Sequence, residues 1–125
     1  MIIRTLDEII DTERDVAWGN GQSRRFLLEK DGMGYSLTDT IVEAGTSSLL
    51  EYKSHWEACY CISGEGTIEA DGVVHLIQPG TMYALDRHEK HYLIAKTTLR
   101  LICVFTPPLQ GKEAHNLNLD QSSCY

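Results

Sequence analysis

Hydrophobic positions in this chain come in short runs that alternate with polar ones, broken every eight to twelve residues by Gly, Pro, Asp or Asn. A period of two is the pattern of strands buried on one side. Ser23–Leu28, Tyr35–Glu43 and Leu49–Tyr52 are such runs, and Tyr52–Gly66, YKSHWEACYCISGEG, follows them. Read as a strand, that stretch turns His55, Glu57, Cys59 and Cys61 to one face and Trp56, Ala58, Tyr60 and Ile62 to the other. It is expected to line a small barrel with ligand-type groups on one face while the large apolar groups pack on the other. Thr67–Ala70 and Val73–Ile77 flank Asp71-Gly72, the two-residue signal of a tight hairpin. Thr81–Leu85, His91–Ala95 and Leu99–Phe105 complete the series before Pro107-Pro108. Helical spacing occurs at Leu6, Ile9 and Ile10, behind the capping-box pattern Thr5-Leu-Asp-Glu8. The pattern predicts an all-β sandwich or barrel with a short N-terminal helix or turn.

Composition narrows the partners. At 125 residues the chain suits a single domain, assigned to 1–115, with a polar tail over 116–125 that is expected to be mobile. Eleven basic residues against 18 acidic ones give a net charge of −7. With no basic cluster, neither nucleic acid nor an anionic membrane is an expected partner. No apolar run approaches the ~20 residues that span a bilayer. The opening MIIRTLDEII carries two acids and no small-residue cleavage site, so a cytoplasmic protein is expected. Four cysteines (Cys59, Cys61, Cys103, Cys124) fit that compartment as free thiols. Cys59 and Cys61 lack a second Cys or His pair at zinc-site spacing and read as small buried residues.

Several side chains carry chemistry on paper. Glu57 lies in an otherwise apolar strand, and a buried carboxylate needs a cation or many donors. An exposed strand position is the other reading. Tyr83, sharing a face with Leu85, reads by itself as a core tyrosine. Among the later histidines, His75 sits in a hairpin strand and His88 in solvent, while His91 opens a strand beside a polar loop. His91 with Glu57 and Tyr83 would form an N,O,O set suited to a divalent transition metal with open positions. Thr38 and Thr40 share a strand face and with Arg25 would bind a carboxylate, unless that face is simply solvated. Phe105, in line with Leu99, Leu101 and Cys103, would wall a pocket. Glu113 and His115 read as surface residues.

Three blocks, YKSHWEACYCISGEG, PGTMYALDRHEKHYLIA and LRLICVFTPPLQGKEAH, preceded by MIIRTLDEI and DGMGYS, occur in fixed order. Together they resemble the ectoine synthase family, cupin-fold enzymes of compatible-solute synthesis, from Met1 to about His115. The resemblance implies a jelly-roll-like cupin barrel that cyclises N-γ-acetyl-L-2,4-diaminobutyrate to ectoine with loss of water, in the cytoplasm under osmotic stress. It implies a metal, Fe(II) with Zn as the other choice, held by Glu57, Tyr83 and His91. Substrate contacts map onto Arg25, Thr40, Tyr52, Phe105 and Glu113, with Thr38 and Cys103 beside them. Glu113, Tyr52 and His55 are the candidates for proton transfer, and a homodimer is implied. The rival reading is a non-catalytic cupin that binds a small solute. This chain departs from the family in having Gly21 where a tryptophan often precedes Ser-Arg-Arg, and Trp18 is expected to fill that space. Trp56 and Thr106 replace a usual Leu and Asn, and His55-Trp-Glu57 stands in place of the two spaced histidines of the general cupin signature.

Overall fold

The structure is a computed structural model that describes residues 1–117 and the backbone of Ser123–Cys124. A six-stranded sheet contains β1 (Asp15–Ala17), β2 (Gly21–Arg25), β3 (Ser36–Val42), β5 (Trp56–Ser63), β8 (Met82–Leu85) and β10 (Leu99–Thr106), in the order β1-β2-β3-β10-β5-β8. A five-stranded sheet holds β4 (Ser47–Glu51), β6 (Gly66–Ala70), β7 (Val73–Ile77), β9 (His91–Ala95) and β11 (Ser123–Cys124), in the order β11-β4-β9-β6-β7. Neighbours run antiparallel except β11, which lies parallel to β4. The hairpin between β6 and β7 turns at Asp71 and Gly72, with φ of 51° and 74°, the left-handed pair that matches strand twist.

Alternation along the strands sets the core. Leu99, Leu101, Cys103 and Phe105 of β10 are buried, as are Leu50, Ile68, Ile77 and Leu93 of the other sheet. Register then composes the inner wall: Cys103 stands opposite Cys59, Phe105 opposite Glu57, and Leu101 opposite Thr40.

One expectation is met and two change. The N-terminal element is a single 3-10 turn, Leu6–Glu8, in which the Glu8 carboxylate accepts from the Thr5 N–H at 3.2 Å. The strand expected over Ser23–Leu28 starts at Gly21 and stops at Arg25. Phe26 and Leu27 both donate to Leu37 O, and Leu28 leads into a second 3-10 turn, Glu29–Asp31. Asp31 anchors that turn, accepting from Leu28 N, Arg4 and Arg14, and the Arg14 guanidinium holds its carboxyl well below the usual carboxylate range. The apolar face of β5 does not pack within this chain, since Trp56 and Tyr60 are 42% and 48% exposed and Ile62 is exposed beside them. The polar face is the buried one. The tail call over 116–125 falls mostly outside the described residues.

Candidate active site

Glu57, Cys59 and Cys61 project inward from β5 and are buried, which removes the exposed reading of Glu57. Burial pushes the Glu57 carboxyl up to about 7, with the Cys59 thiol as a hydrogen-bond donor pulling the other way. Antiparallel pairing of β5 with β8 sets Tyr83 opposite Cys59, and the phenol hydrogen-bonds to that thiol. Burial, then the neighbouring acidic groups, raise the Tyr83 phenol well above its ordinary value. Glu57 and Tyr83 are thus brought to one place.

His91 comes from the opposite sheet at the start of β9. Its Nδ1 donates to Glu89 O at 3.0 Å, which leaves Nε2 as the lone-pair nitrogen of a neutral ring. Burial pushes the His91 pKa down and so favours the neutral form. Nε2 is buried and has no hydrogen-bond partner. A backbone-oriented imidazole with a bare inward nitrogen is the usual state of a metal-ligating histidine before its metal arrives.

A partly open cavity of about 30 Å³ is lined by Thr40, Tyr52, Glu57, Tyr83, Cys103 and Phe105 among the expected residues. The other expected residues stand against that lining. His91 meets the Tyr52 ring at 6.1 Å between centroids, and His55 meets Phe105 at 6.0 Å. His55 Nδ1 lies 2.6 Å from Pro107 O, which fixes the ring. Thr38 is fully buried with its Oγ1 3.0 Å from that of Thr40, so this strand face is not a solvated one.

Arg25 is also fully buried. It donates to Ser23 Oγ at 3.1 Å, to Gly111 O at 3.1 Å and to Glu113 O at 2.5 Å, and its Nη1 lies 3.7 Å from the Glu113 carboxylate. Burial would raise Glu113, but the N–H groups of Gln110 and Gly111 and the Arg25 charge hold its carboxyl below the ordinary value. Arg25 and Glu113 together tie the segment after β10 onto the barrel.

One participant was not foreseen as such, and Trp18 takes the place expected of it. His115, expected at the surface, is buried with Nε2 3.2 Å from the Tyr52 phenol, and it meets Trp18 edge-on at 6.0 Å. Trp18 lines the cavity and donates from Nε1 to Ile41 O at 2.9 Å. Gly21 has φ of +155°, and a Cβ there would lie 1.9 Å from Ile41 O and 3.2 Å from Trp18 Nε1. The indole of Trp18 therefore occupies space that a side chain at position 21 would need. Gly21→Ala is expected to cost more than about 2 kcal/mol, read as a lower urea midpoint at unchanged slope.

Two sheets around a largely apolar pocket, with the Glu57 carboxylate and Tyr83 phenol on its wall and the His91 imidazole behind Tyr52, define a cupin-type barrel. A Cupin 2 conserved barrel domain protein from Salinispora arenicola superposes with a TM-score of 0.67 over 85% of this chain and 88% of its own, at 18% identity, a likeness of fold. The family model of ectoine synthase matches residues 1–121, and the chain belongs to that family. The L-ectoine synthase of Sporosarcina pasteurii is 55% identical over 121 residues, 94% of this chain and 90% of its own. The crystal structure of ectoine synthase from P. lautus superposes with a TM-score of 0.85 at 56% identity, covering 89% of this chain and 81% of that one. No helix among the described residues is long and apolar enough to cross a membrane.

Proposed function

We infer that the chain is an L-ectoine synthase, a hydro-lyase that closes N-γ-acetyl-L-2,4-diaminobutyrate into ectoine with release of water. Membership of the family over 1–121 supports this reading, and the single structural observation behind it is the buried Glu57–Tyr83 pair with a bare His91 Nε2 on the facing sheet. In the reaction the free α-amine attacks the acetyl carbonyl of the same molecule. The carbonyl oxygen takes two protons in turn, as the attacking nitrogen gives up two, and the tetrahedral adduct loses it as water to leave the cyclic amidine. An amide is a poor electrophile, so this ring closure needs help with position, charge and protons.

Glu57, Tyr83 and His91 would hold a divalent transition metal, Fe(II) first and Zn second, and their O,O,N donors fit such an ion. When bound, the metal supplies Lewis acidity toward the carbonyl oxygen. The chain's own groups do the rest. Trp18, Tyr52 and Phe105 form aromatic walls that fold the substrate, and bringing amine and carbonyl to near-attack distance lowers the barrier by several kcal/mol. Thr40, with Thr38 bonded to it, offers hydroxyls to the carboxylate. The Tyr52 phenol, in contact with His115, would carry a proton between amine and departing oxygen, with His55 and Glu113 as the other candidates. Glu113 pairs with Arg25 and so holds the segment after β10 against the barrel. A small cavity with largely apolar walls, from which the bound substrate expels water, would oppose hydrolysis of the product.

The reading extends to one domain over 1–115, cytoplasmic synthesis of a compatible solute under osmotic stress, and a homodimer. Exposed Trp56, Tyr60, Ile62, Met82 and Val104 on the outer sheet support the last, since an apolar patch of this kind marks a contact surface. The deciding test supplies metal-reconstituted protein with the acetylated diamino acid and follows ectoine by NMR. Ectoine formation is expected, and intact substrate with metal bound would leave a solute-binding cupin as the reading. Tyr83→Phe keeps the ring and removes the oxygen, so turnover should fall by about a hundredfold or more, ~3 kcal/mol of barrier. Wild-type turnover in that variant would strike the phenol from the site.

A further inference from the structure

Residues 86–90 connect β8, which carries Tyr83, to β9, which opens on His91. The backbone of this connection touches the site twice. His88 N–H donates to Tyr52 O at 2.7 Å, and Glu89 O accepts from His91 Nδ1 at 3.0 Å. The first contact holds the backbone that carries the Tyr52 ring, part of the cavity lining. The second fixes which way the His91 imidazole turns and which nitrogen keeps its proton. Left to itself, this backbone would not keep that shape. Asp86 to Glu89 form one turn, closed by Glu89 N–H to Asp86 O at a long 3.4 Å. Its third residue, His88, has φ of 66°, a conformation that turns commonly give to Gly or Asn. A histidine there persists only where surrounding contacts hold it. Asp86, Arg87, His88 and Lys90 are exposed, so burial does little of the holding.

The hold comes from outside the barrel. Glu57 pairs with Leu85, so Trp56, one residue earlier, and Asp86, one residue later, meet on the outer face of the sheet. The Trp56 indole N–H donates to Asp86 Oδ1 at 2.7 Å, and the same oxygen accepts from Arg87 N–H at 3.0 Å. The Arg87 guanidinium lies 4.3 Å over the indole ring. One side chain of β5 thus grips the first two residues of the turn, by a charge-assisted hydrogen bond and a cation–π contact. The leucine usual at this position in the family has neither the donor nor the ring face, so the strap belongs to this chain.

We propose that Trp56 is a positioning residue: it straps the 86–90 connection from outside and so fixes the His91 imidazole and the Tyr52 backbone inside. The proposal rests on the metal reading above for what His91 does. How His91 is held follows from contacts that need no metal. A ring already turned with Nε2 inward binds an ion without first losing rotational freedom, so the strap also slows the ion's escape.

The test is hydrogen exchange by NMR on the full-length, metal-free protein with isotopically labelled histidine. The His91 Nδ1 proton reads the contact to Glu89 O, and the His88 amide reads the contact to Tyr52 O. In Trp56→Phe and in Asp86→Ala both should exchange about three- to tenfold faster, the factor that one net hydrogen bond is worth. The double variant should exchange no faster than Asp86→Ala alone, because both changes remove the same bond. Asp86→Asn keeps an acceptor oxygen and should stay within about twofold of the wild type. Asp86→Ala leaves the outer apolar patch intact, so an effect it shares with Trp56→Phe does not come from subunit contact. Backbone amides of β10 should exchange at wild-type rates throughout. Zn(II) loaded into the same proteins should pass to a chromophoric chelator faster, by the same order, in Trp56→Phe and Asp86→Ala. Wild-type exchange of the His91 proton in Asp86→Ala, additive effects in the double variant, or β10 amides that quicken to the same degree would each overturn the proposal and leave the metal reading intact. A wild-type protein that binds no Zn(II) removes the metal reading, and the exchange rates still decide whether Trp56 holds His91.

Discussion

Glu57→Gln should abolish ring closure and metal retention together. The substitution keeps length and shape and removes the anionic oxygen, in a position where the carboxyl is buried among acidic neighbours. Turnover is expected to drop at least about a hundredfold, or ~2.7 kcal/mol of barrier, with metal content after dialysis falling in parallel. Full metal content in the variant would take Glu57 out of the ligand set. A stability measurement isolates the same carboxyl without any metal. Its folded pKa of about 7 lies above the ordinary 4.5, so the folded state binds the proton more tightly than the unfolded one. The contribution is therefore complete below pH 4.5 and is lost as pH rises through 7, on the order of 3 kcal/mol in all. Metal-free wild type should weaken over that window, and the Gln variant should lack that component of the slope. A divalent ion reverses the trend, because it binds the ionised carboxylate that higher pH supplies.

The part of this site that was legible in the sequence came from alternation within single strands. Period two placed Glu57, Cys59 and Cys61 on one face of β5, and it aligned Leu99, Leu101, Cys103 and Phe105 on β10. Alternation separates two faces without stating which is inside. Polarity suggested that Trp56, Tyr60 and Ile62 pack, yet the barrel encloses the polar face and leaves these three in the open. Contacts between strands were not legible, because register belongs to the pairing and not to either segment. Cys59 opposite both Cys103 and Tyr83 is a case of it, and it makes a cluster of residues that read separately as core. The ends of β2 were lost to a different competitor. Phe26 and Leu27 look like strand residues, but hydrogen bonding to Leu37 O and the Asp31 anchor take the chain away from the sheet. The assignment of Glu57, Tyr83 and His91 to one metal owed more to family resemblance than to spacing. Position 18 was legible as a compensation: a glycine where the family often has an indole, with an indole three residues earlier. His115 was not, since nothing local distinguishes a solvated histidine from one folded back onto Tyr52.

Arg25→Met is expected to have the largest effect on stability outside the metal set. The Met side chain fills much of the same space but leaves the carbonyls of Gly111 and Glu113 without their donor, and the Glu113 carboxylate without its cation. Arg25 is fully buried, and removing one partner of such a cluster leaves polar groups that water reaches only by opening the fold. The carboxylate is 3.7 Å away and partly exposed, so solvent offsets part of the ionic loss. A destabilisation of about 2–4 kcal/mol follows, read as a lower urea midpoint. The same change unhooks the segment that carries Glu113 and His115, and with it the His115 contact on the Tyr52 phenol. Substrate KM should therefore rise even at temperatures where the variant is folded, and proteolysis should cut first between residues 110 and 117. Arg25→Lys separates charge from geometry: it keeps the cation near Glu113 but cannot reach two carbonyls and Ser23 Oγ at once. It should recover less than half of the lost stability. A lysine variant as stable as the wild type would mean that the charge alone holds the segment down, and that the forked hydrogen bonds to Gly111 and Glu113 contribute little.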